Sequence, residues 1–190
     1  MRKNIITRTT ELAMSITLEY VSDGDTVVDA TCGTGQDTVS LARAVGDSGR
    51  VYAFDIQQEA LRLTESRLKD AGLSNVQLIH ESYTSMGNYI PEGSASAVVF
   101  NLGYLPGGDH SITTKAEETL VGLDAAIRAI RADGIVTVVM YDGHEAGVKE
   151  KAAVLEWAEG LDSGRYHVAY VSMLNQKNNP PEIVWITKKK

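Results

Sequence analysis

Cysteine is nearly absent from the sequence: Cys32 is the only one in 190 residues. An intramolecular disulfide is therefore excluded, and a reducing cytoplasm is the expected home. No apolar run approaches the ~20 residues that span a bilayer, so no membrane partner is expected. The opening Met1-Arg2-Lys3-Asn4-Ile5-Ile6-Thr7-Arg8 is basic but leads into no continuous apolar segment, and no secretory signal is expected. Positive charge is in deficit. The formal net charge of −7 argues against general, charge-driven nucleic-acid binding, which needs many lysine and arginine contacts to phosphates. Two local basic clusters remain, Arg2, Lys3 and Arg8 at one end and Lys188-Lys189-Lys190 at the other; both read first as solvated termini. Repeats, low-complexity stretches and linkers are lacking too, so a single domain over residues 1–190 is expected.

What is present is an alternation of strand and helix patterns. Leu12, Ala13, Ile16 and Val21 fall at helical spacing in Thr10 to Val21. Short apolar strands are expected at 26–30, 51–55, 76–80, 97–101 and 135–141, with helices at 37–45, 58–71, 114–131 and 145–160 between or after them. Gly46 and Gly72 are helix stops, Pro91-Glu92-Gly93-Ser94 is a turn, and Thr114-Lys115-Ala116-Glu117 has the spacing of a capping box. The ending differs: two strands, 166–174 and 183–187, are joined by a link too short for a parallel crossover. The pattern predicts an α/β fold, a doubly wound, mostly parallel seven-stranded sheet with a C-terminal antiparallel hairpin. Ligands in such sheets bind beyond the carboxyl ends of the strands, where strand order reverses.

The segment that meets that rule first is Asp29-Ala30-Thr31-Cys32-Gly33-Thr34-Gly35-Gln36-Asp37, between a strand and a helix. Gly33 and Gly35 let the backbone turn tightly and approach a ligand. Asp55 ends the following strand about 20 residues on, where nucleotide sites place an acid for ribose hydroxyls. A dinucleotide fingerprint would carry a third glycine; Thr38 stands there instead. The buried acid at the strand end suits a cationic amino-acid ligand better than a pyrophosphate. This arrangement resembles motif I of class I methyltransferases, which implies a Rossmann-like methyltransferase fold and S-adenosyl-L-methionine as cofactor. On that resemblance Asp29 supports the loop made by Thr31, Cys32, Gly33, Thr34 and Gly35. Gln36 and Asp37 receive the methionine amino group, Asp55 holds the ribose, and Ile56 and Gln57 flank the adenine. Glu81, Ser82 and Tyr83 meet its edge. Cys32 reads as a small turn residue, since no basic motif marks it for thiolate activation. No metal is expected.

The fourth strand runs into Asn101-Leu102-Gly103-Tyr104-Leu105-Pro106-Gly107-Gly108-Asp109-His110. Asn101 and Tyr104 resemble motif IV of amino-group methyltransferases, with Leu102 and Gly103 where the family has two prolines. The resemblance implies that the Asn101 oxygen, helped by a backbone carbonyl, accepts from the target nitrogen while Tyr104 stacks on a base. An alkylamine with a reference pKa of about 10.4 must lose a proton first, which a desolvated pocket favours. Asp109 or His110 can accept it. Asn101, Tyr104 and Asp109 are the catalytic candidates, and Asn101 also borders the cofactor.

Taken in order, Asp29-Ala30-Thr31, Phe54-Asp55-Ile56-Gln57, Asn101 through Asp109, and Asn175-Gln176 to Pro180-Pro181 resemble the compact stand-alone methyltransferases known as the putative rRNA methylase or MnmM family, which includes the tRNA wobble-uridine enzymes. Thr34-Gly35-Gln36 departs from the Asn-Gly-His of many relatives. The resemblance implies N-methylation of the 5-aminomethyl group of (2-thio)uridine in a tRNA anticodon loop. Lys177 and the asparagines of 175–181 would face that RNA, and a homodimer is left open. By topology the hairpin loop should share the ligand edge, so Arg2, Lys3, Arg8 and Lys177 should matter more to RNA than the C-terminal lysines. Two other readings stay open: a methyltransferase of rRNA or a small amine with the same cofactor site, and a non-catalytic cofactor-binding subunit.

Overall fold

The computed structural model describes residues 8–105, 107, 113–143, 145–177 and 179–190. Arg2, Lys3, Asp109 and His110 lie outside the described residues. β-Branched runs lose χ1 freedom in a helix and pack well on a pleated surface, and such runs make the strands here. Thr26–Asp29 is β1, Arg50–Phe54 β2, Val76–Ile79 β3, Ala95–Leu102 β4, Ile130–Met140 β5, Tyr166–Val171 β6 and Glu182–Lys188 β7. Helices α1 (Thr9–Leu18), α2 (Gln36–Val45), α3 (Gln58–Asp70), α4 (Ala116–Ala129) and α5 (Glu145–Glu159) alternate with them.

Among the described residues these strands form one seven-stranded sheet in the order β3-β2-β1-β4-β5-β7-β6. The first five run parallel; β7 is antiparallel to β5, and β6 to β7. Both faces of the inner strands are covered, which is why they read as unbroken apolar runs rather than alternating ones. On one face Val28, Phe54, Val98 and Phe100 pack with Leu123 and Ala126 of α4 and Val154 of α5. On the other, Val27, Val51, Ala97 and Val99 pack with Leu41, Ala42 and Val45 of α2 and Met14 of α1. From β1 the chain steps outward to β2 and β3, then crosses back to β4 on the opposite flank of β1. Strand order therefore reverses between β1 and β4. Their carboxyl ends border the crevice.

The expected architecture is the observed one, with local differences that have physical causes. The capping box does not form: α4 starts at Ala116 behind Lys115, with no side-chain cap. The Thr114 hydroxyl donates instead to Glu150 Oε2 at 2.7 Å. The same helix stops at Ala129, not Arg131. There Lys188 Nζ donates to the carbonyls of Ile127 (3.4 Å) and Ile130 (2.9 Å), a cation placed on a helix's free carbonyls. Arg131 turns away into a two-bond ion pair with Asp25, at 2.7 and 3.0 Å. The first helix ends at Leu18, and Glu19, Tyr20 and Val21 close with i→i+3 turn bonds. A 3₁₀ helix at Tyr83–Asn88 was not expected; Ser82 caps it by accepting from the Thr84 amide. The hairpin strand expected to reach Leu174 ends at Val171, where pairing with Ile183 stops. Lys188 starts the tail on the edge away from the crevice, as the antiparallel return requires. No helix among the described residues is long and apolar enough to cross a membrane.

One packing contact ties the fold to the crevice. A Cβ on Gly122 of α4 would come within 2.4 Å of Tyr83 Cδ2 and 3.3 Å of Phe100 Cε1. Gly122→Ala adds helix propensity, about 1 kcal/mol, but overpacks a filled site, at a cost of roughly 1–3 kcal/mol. A net loss is expected as a lower urea midpoint; an equal or higher midpoint would show that Tyr83 gives way freely.

Candidate active site

A cavity of about 580 Å³ opens at the carboxyl ends of β1, β2, β4 and β5. Its volume suits a nucleotide-sized ligand. Of the expected site residues, Thr31, Cys32, Gly33, Thr34, Gln36, Asp37, Asp55, Ile56, Gln57, Ser82, Tyr83, Asn101 and Tyr104 line it. Asp29 and Gly35 stand behind its wall. Asp109 lies outside the described residues.

Asp29 is fully buried at the end of β1. Its Oδ2 accepts from the Thr38 hydroxyl at 2.6 Å and its Oδ1 from the Thr31 amide at 3.3 Å. One carboxylate thus clasps the turn where it leaves the strand and where it enters α2. Thr38, the residue at the missing third-glycine position, is the second half of the clasp. Burial, then the charge of Asp37, pushes the Asp29 carboxyl up to about 7, against the lowering pull of its bonds from Thr38 and Thr31. Gly33 and Gly35 carry φ of 50° and 80°. At Gly35 a Cβ would also fall 2.8 Å from Thr64 Cα on α3. Close packing of α2 against α3 requires that glycine. Thr64 holds the turn from below, its hydroxyl donating to the Gly33 carbonyl at 3.0 Å.

Asp55 follows β2 and is fixed by backbone. Its Oδ2 accepts from the Gly33 amide at 3.0 Å and its Oδ1 from the Gln57 amide at 2.9 Å. Each oxygen keeps a lone pair for a diol, since an ionised carboxylate has about four acceptor sites. Burial raises the Asp55 carboxyl, opposed by these amides and by His80. Ile56 beside it is 53% exposed, a large apolar side chain left on the cavity rim for a flat partner.

Asp37 and Asn101 meet although 64 residues separate them, Asn101 Nδ2 donating to Asp37 Oδ2 at 2.8 Å. An ionised carboxylate only accepts, so the amide nitrogen must face Asp37 and the Asn101 side-chain oxygen is turned away from it. The Asn101 backbone amide donates to Thr31 Oγ1 at 2.7 Å, joining the β4 end to the glycine turn. Burial raises the Asp37 carboxyl, and the bond from Asn101 lowers it. Burial also raises the Cys32 thiol, helped by Asp29 and Asp55, which removes any thiolate role.

Several wall residues were not singled out by the sequence. Tyr141, Asp142 and Gly143 follow β5, and Glu118 sits in the first turn of α4. The rule that ligands bind beyond carboxyl strand ends could have found the first three; Glu118 carries no local signal. Asn179, one of the loop asparagines expected to face RNA, brings the hairpin loop to the cavity. Asp142 is held by Lys151 Nζ at 2.8 Å, and Lys151 also pairs with Glu182 at the start of β7. Burial works against the Lys151 ammonium, yet these two carboxylates hold its pKa above the ordinary value.

The description "Putative rRNA methylase" belongs to a family model that matches residues 51–187. A chloroplastic tRNA (mnm(5)s(2)U34)-methyltransferase of Arabidopsis thaliana is 38% identical over 183 residues, 91% of this chain and 67% of that protein. A crystal structure described as a putative rRNA-methylase from Clostridium thermocellum superposes with a TM-score of 0.93 at 43% identity, covering 95% of this chain and 97% of that one. A Streptococcus mutans methyltransferase solved with S-adenosylhomocysteine (SAH) gives 0.87 at 34% identity over 99% of both chains.

Asp29 makes the site's own contribution to stability depend on pH. A carboxyl that ionises near 3.8 when unfolded and about 7 when folded favours the fold below the lower value and loses that contribution as pH rises through the upper one. Relative to Asp29→Asn, the wild type should therefore lose roughly 2–3 kcal/mol between about pH 5 and pH 8. Urea unfolding of both proteins across that range measures it; a constant difference would contradict the assignment.

Proposed function

The chain belongs to the putative rRNA methylase family and is an S-adenosylmethionine-dependent methyltransferase; on that premise we propose that it N-methylates the 5-aminomethyl group of (2-thio)uridine at the tRNA wobble position. The observation that carries this reading is the sign of the cavity. Asp37, Asp55, Glu81, Glu118 and Asp142 line it, and no lysine, arginine or histidine does so among the described residues. Such a wall attracts a sulfonium donor with its ammonium group and a protonated alkylamine acceptor. It repels phosphate or a carboxymethyl group. RNA phosphates then bind outside the cavity, with exposed Arg8 and Lys177 as contacts, Lys177 standing two residues from the cavity-lining Asn179. The acceptor nucleoside of this reading is the one in the plant relative's name, which supports it.

The residues fit the cofactor. Asp55 offers spare lone pairs to the ribose, Ile56 and Gln57 flank the adenine, and Ser82 and Tyr83 border its edge. The turn of Thr31, Cys32, Gly33 and Thr34, with Gln36 and Asp37, borders the amino-acid end. Asp29 and Gly35 act one layer back, by shaping the turn. When bound, the cofactor supplies an electrophilic methyl group. Asn101 orients the acceptor by accepting from its N–H through the side-chain oxygen that Asp37 turns outward. Tyr104, 41% exposed at the rim, offers its ring to the base. Asp109 or His110 takes the proton that the amine must lose, and water exclusion by the bound substrate favours the neutral amine. The buried Cys32, 4% exposed, suits a reducing cytoplasm.

Nucleoside mass spectrometry of tRNA from cells with and without this gene tests the assignment. The 5-methylaminomethyl form should vanish and the 5-aminomethyl form accumulate, with rescue by wild type; Asn101→Ala, misplacing the nitrogen, should lower the rate by roughly 100-fold. An unchanged wobble uridine removes the tRNA substrate. Label transferred from the same cofactor to rRNA or a small amine would then identify the acceptor.

A further inference from the structure

One acidic side chain deep in the fold is tied to the acceptor side of the cavity without lining it. Glu150 of α5 is 2% exposed. Its Oε1 accepts from the Thr119 hydroxyl at 2.6 Å and its Oε2 from the Thr114 hydroxyl at 2.7 Å. The two threonines lead in different directions. Thr119 Oγ1 lies 3.1 Å from the Tyr83 hydroxyl. Since Thr119 gives its proton to Glu150, it is Tyr83 that donates there. Tyr83 is itself fixed, its ring edge-on to Phe100 at 5.5 Å and pressed against Gly122. That arm is anchored in the core.

The other arm reaches a loop. Thr114 Oγ1 accepts from the Gly103 amide at 2.8 Å, and the Thr114 amide donates to the Gly103 carbonyl at 3.0 Å. Tyr104 and Thr113 form an antiparallel bridge beside them. The segment that carries Asp109 therefore leaves and returns through a neck closed at Gly103 and Thr114. Gly103 has a φ of 139° there, a value that other residues rarely adopt. Helix α4 goes without a side-chain N-cap while Thr114, one residue before its Lys115 cap position, spends its hydroxyl on Glu150. The bond to Glu150 thus competes with a stabilising alternative, a hydroxyl cap on the free amides of α4.

We propose that Glu150 is a positioning residue for methyl transfer: anchored to the core through Thr119 and Tyr83, it holds the Gly103–Thr114 neck and so places Tyr104 on the acceptor side of the cavity. This rests on reading the 101–109 segment as the acceptor side. Glu150→Gln keeps size and burial but removes the charge, so the charge-assisted bond from the Thr114 hydroxyl gives way to a weaker bond with an amide and the hold on the neck loosens. Thr114→Val cuts the same arm from the other end.

Methyl incorporation from S-adenosylmethionine into total RNA from cells lacking the gene gives the rate, calorimetry gives SAH affinity, and amide exchange reports Gly103. Both variants should lose roughly 10- to 100-fold in kcat, with cofactor KM and SAH affinity held within about twofold. The Gly103 amide should exchange about tenfold faster or more, while that of Val99 in β4 stays protected. An unchanged kcat with an unchanged Gly103 amide overturns the proposal. So does a fall in kcat matched by equal losses in SAH affinity and folded fraction, because Glu150 would then serve stability alone. If the wild type transfers no methyl to RNA, the RNA reading fails, and Gly103 exchange in the two variants still decides the role of Glu150.

Discussion

A carboxylate with no exposed surface stands at the end of β1, and the cofactor turn is built around it. Asp29 could ionise cheaply only in water; here it accepts from Thr31 on one side of the turn and Thr38 on the other. These two bonds fix where the chain leaves the strand and where α2 begins. Asp55 then has a defined Gly33 amide to accept from, and Asn101 has a defined Thr31 hydroxyl to bond. The ends of β1, β2 and β4 are thereby registered to one another. The sheet supplies the platform, but the buried acid decides the shape of the loop above it.

Charge is distributed by the same logic. A net charge of −7 looks unpromising for a protein whose relatives modify RNA. Five of the 25 acidic residues line one cavity, unaccompanied by lysine or arginine among the described residues, which suits a cationic cofactor rather than a phosphate backbone. Lys151, bonded to the lining Asp142, is also occupied by Glu182 and stands outside the wall. It neutralises one side of the cavity from behind and fastens the start of β7. The hairpin that carries Lys177 and Asn179 is thus held to the site by an ion pair, as Thr114 beside Gly103 is bonded to Glu150.

The fold was legible because its signals are local and periodic. Apolar runs bounded by glycine or proline marked the inner strands, and the short link at 175–182 forced the antiparallel ending. The cofactor turn was legible for a similar reason: Asp29, Gly33, Gly35 and Asp55 hold fixed spacings. Other features depend on partners far along the chain. Nothing near Thr114 shows that its hydroxyl serves Glu150 rather than α4, and nothing near Arg131 shows that Asp25 will pull it from the helix. Gly35 was read as ligand-facing because glycine permits close approach. What approaches is Thr64 of α3. The missing third glycine served only to argue against a dinucleotide, although Thr38 was there to close the clasp.

Thr38→Val tests the clasp most directly, since it removes one hydroxyl and keeps the shape of a buried residue that does not line the cavity. Calorimetric titration with SAH should show affinity weakened by about tenfold, the equivalent of one lost buried hydrogen bond, with the sheet still folded. An affinity equal to that of the wild type would mean that the turn holds its form without Asp29, and the account of the site would fail.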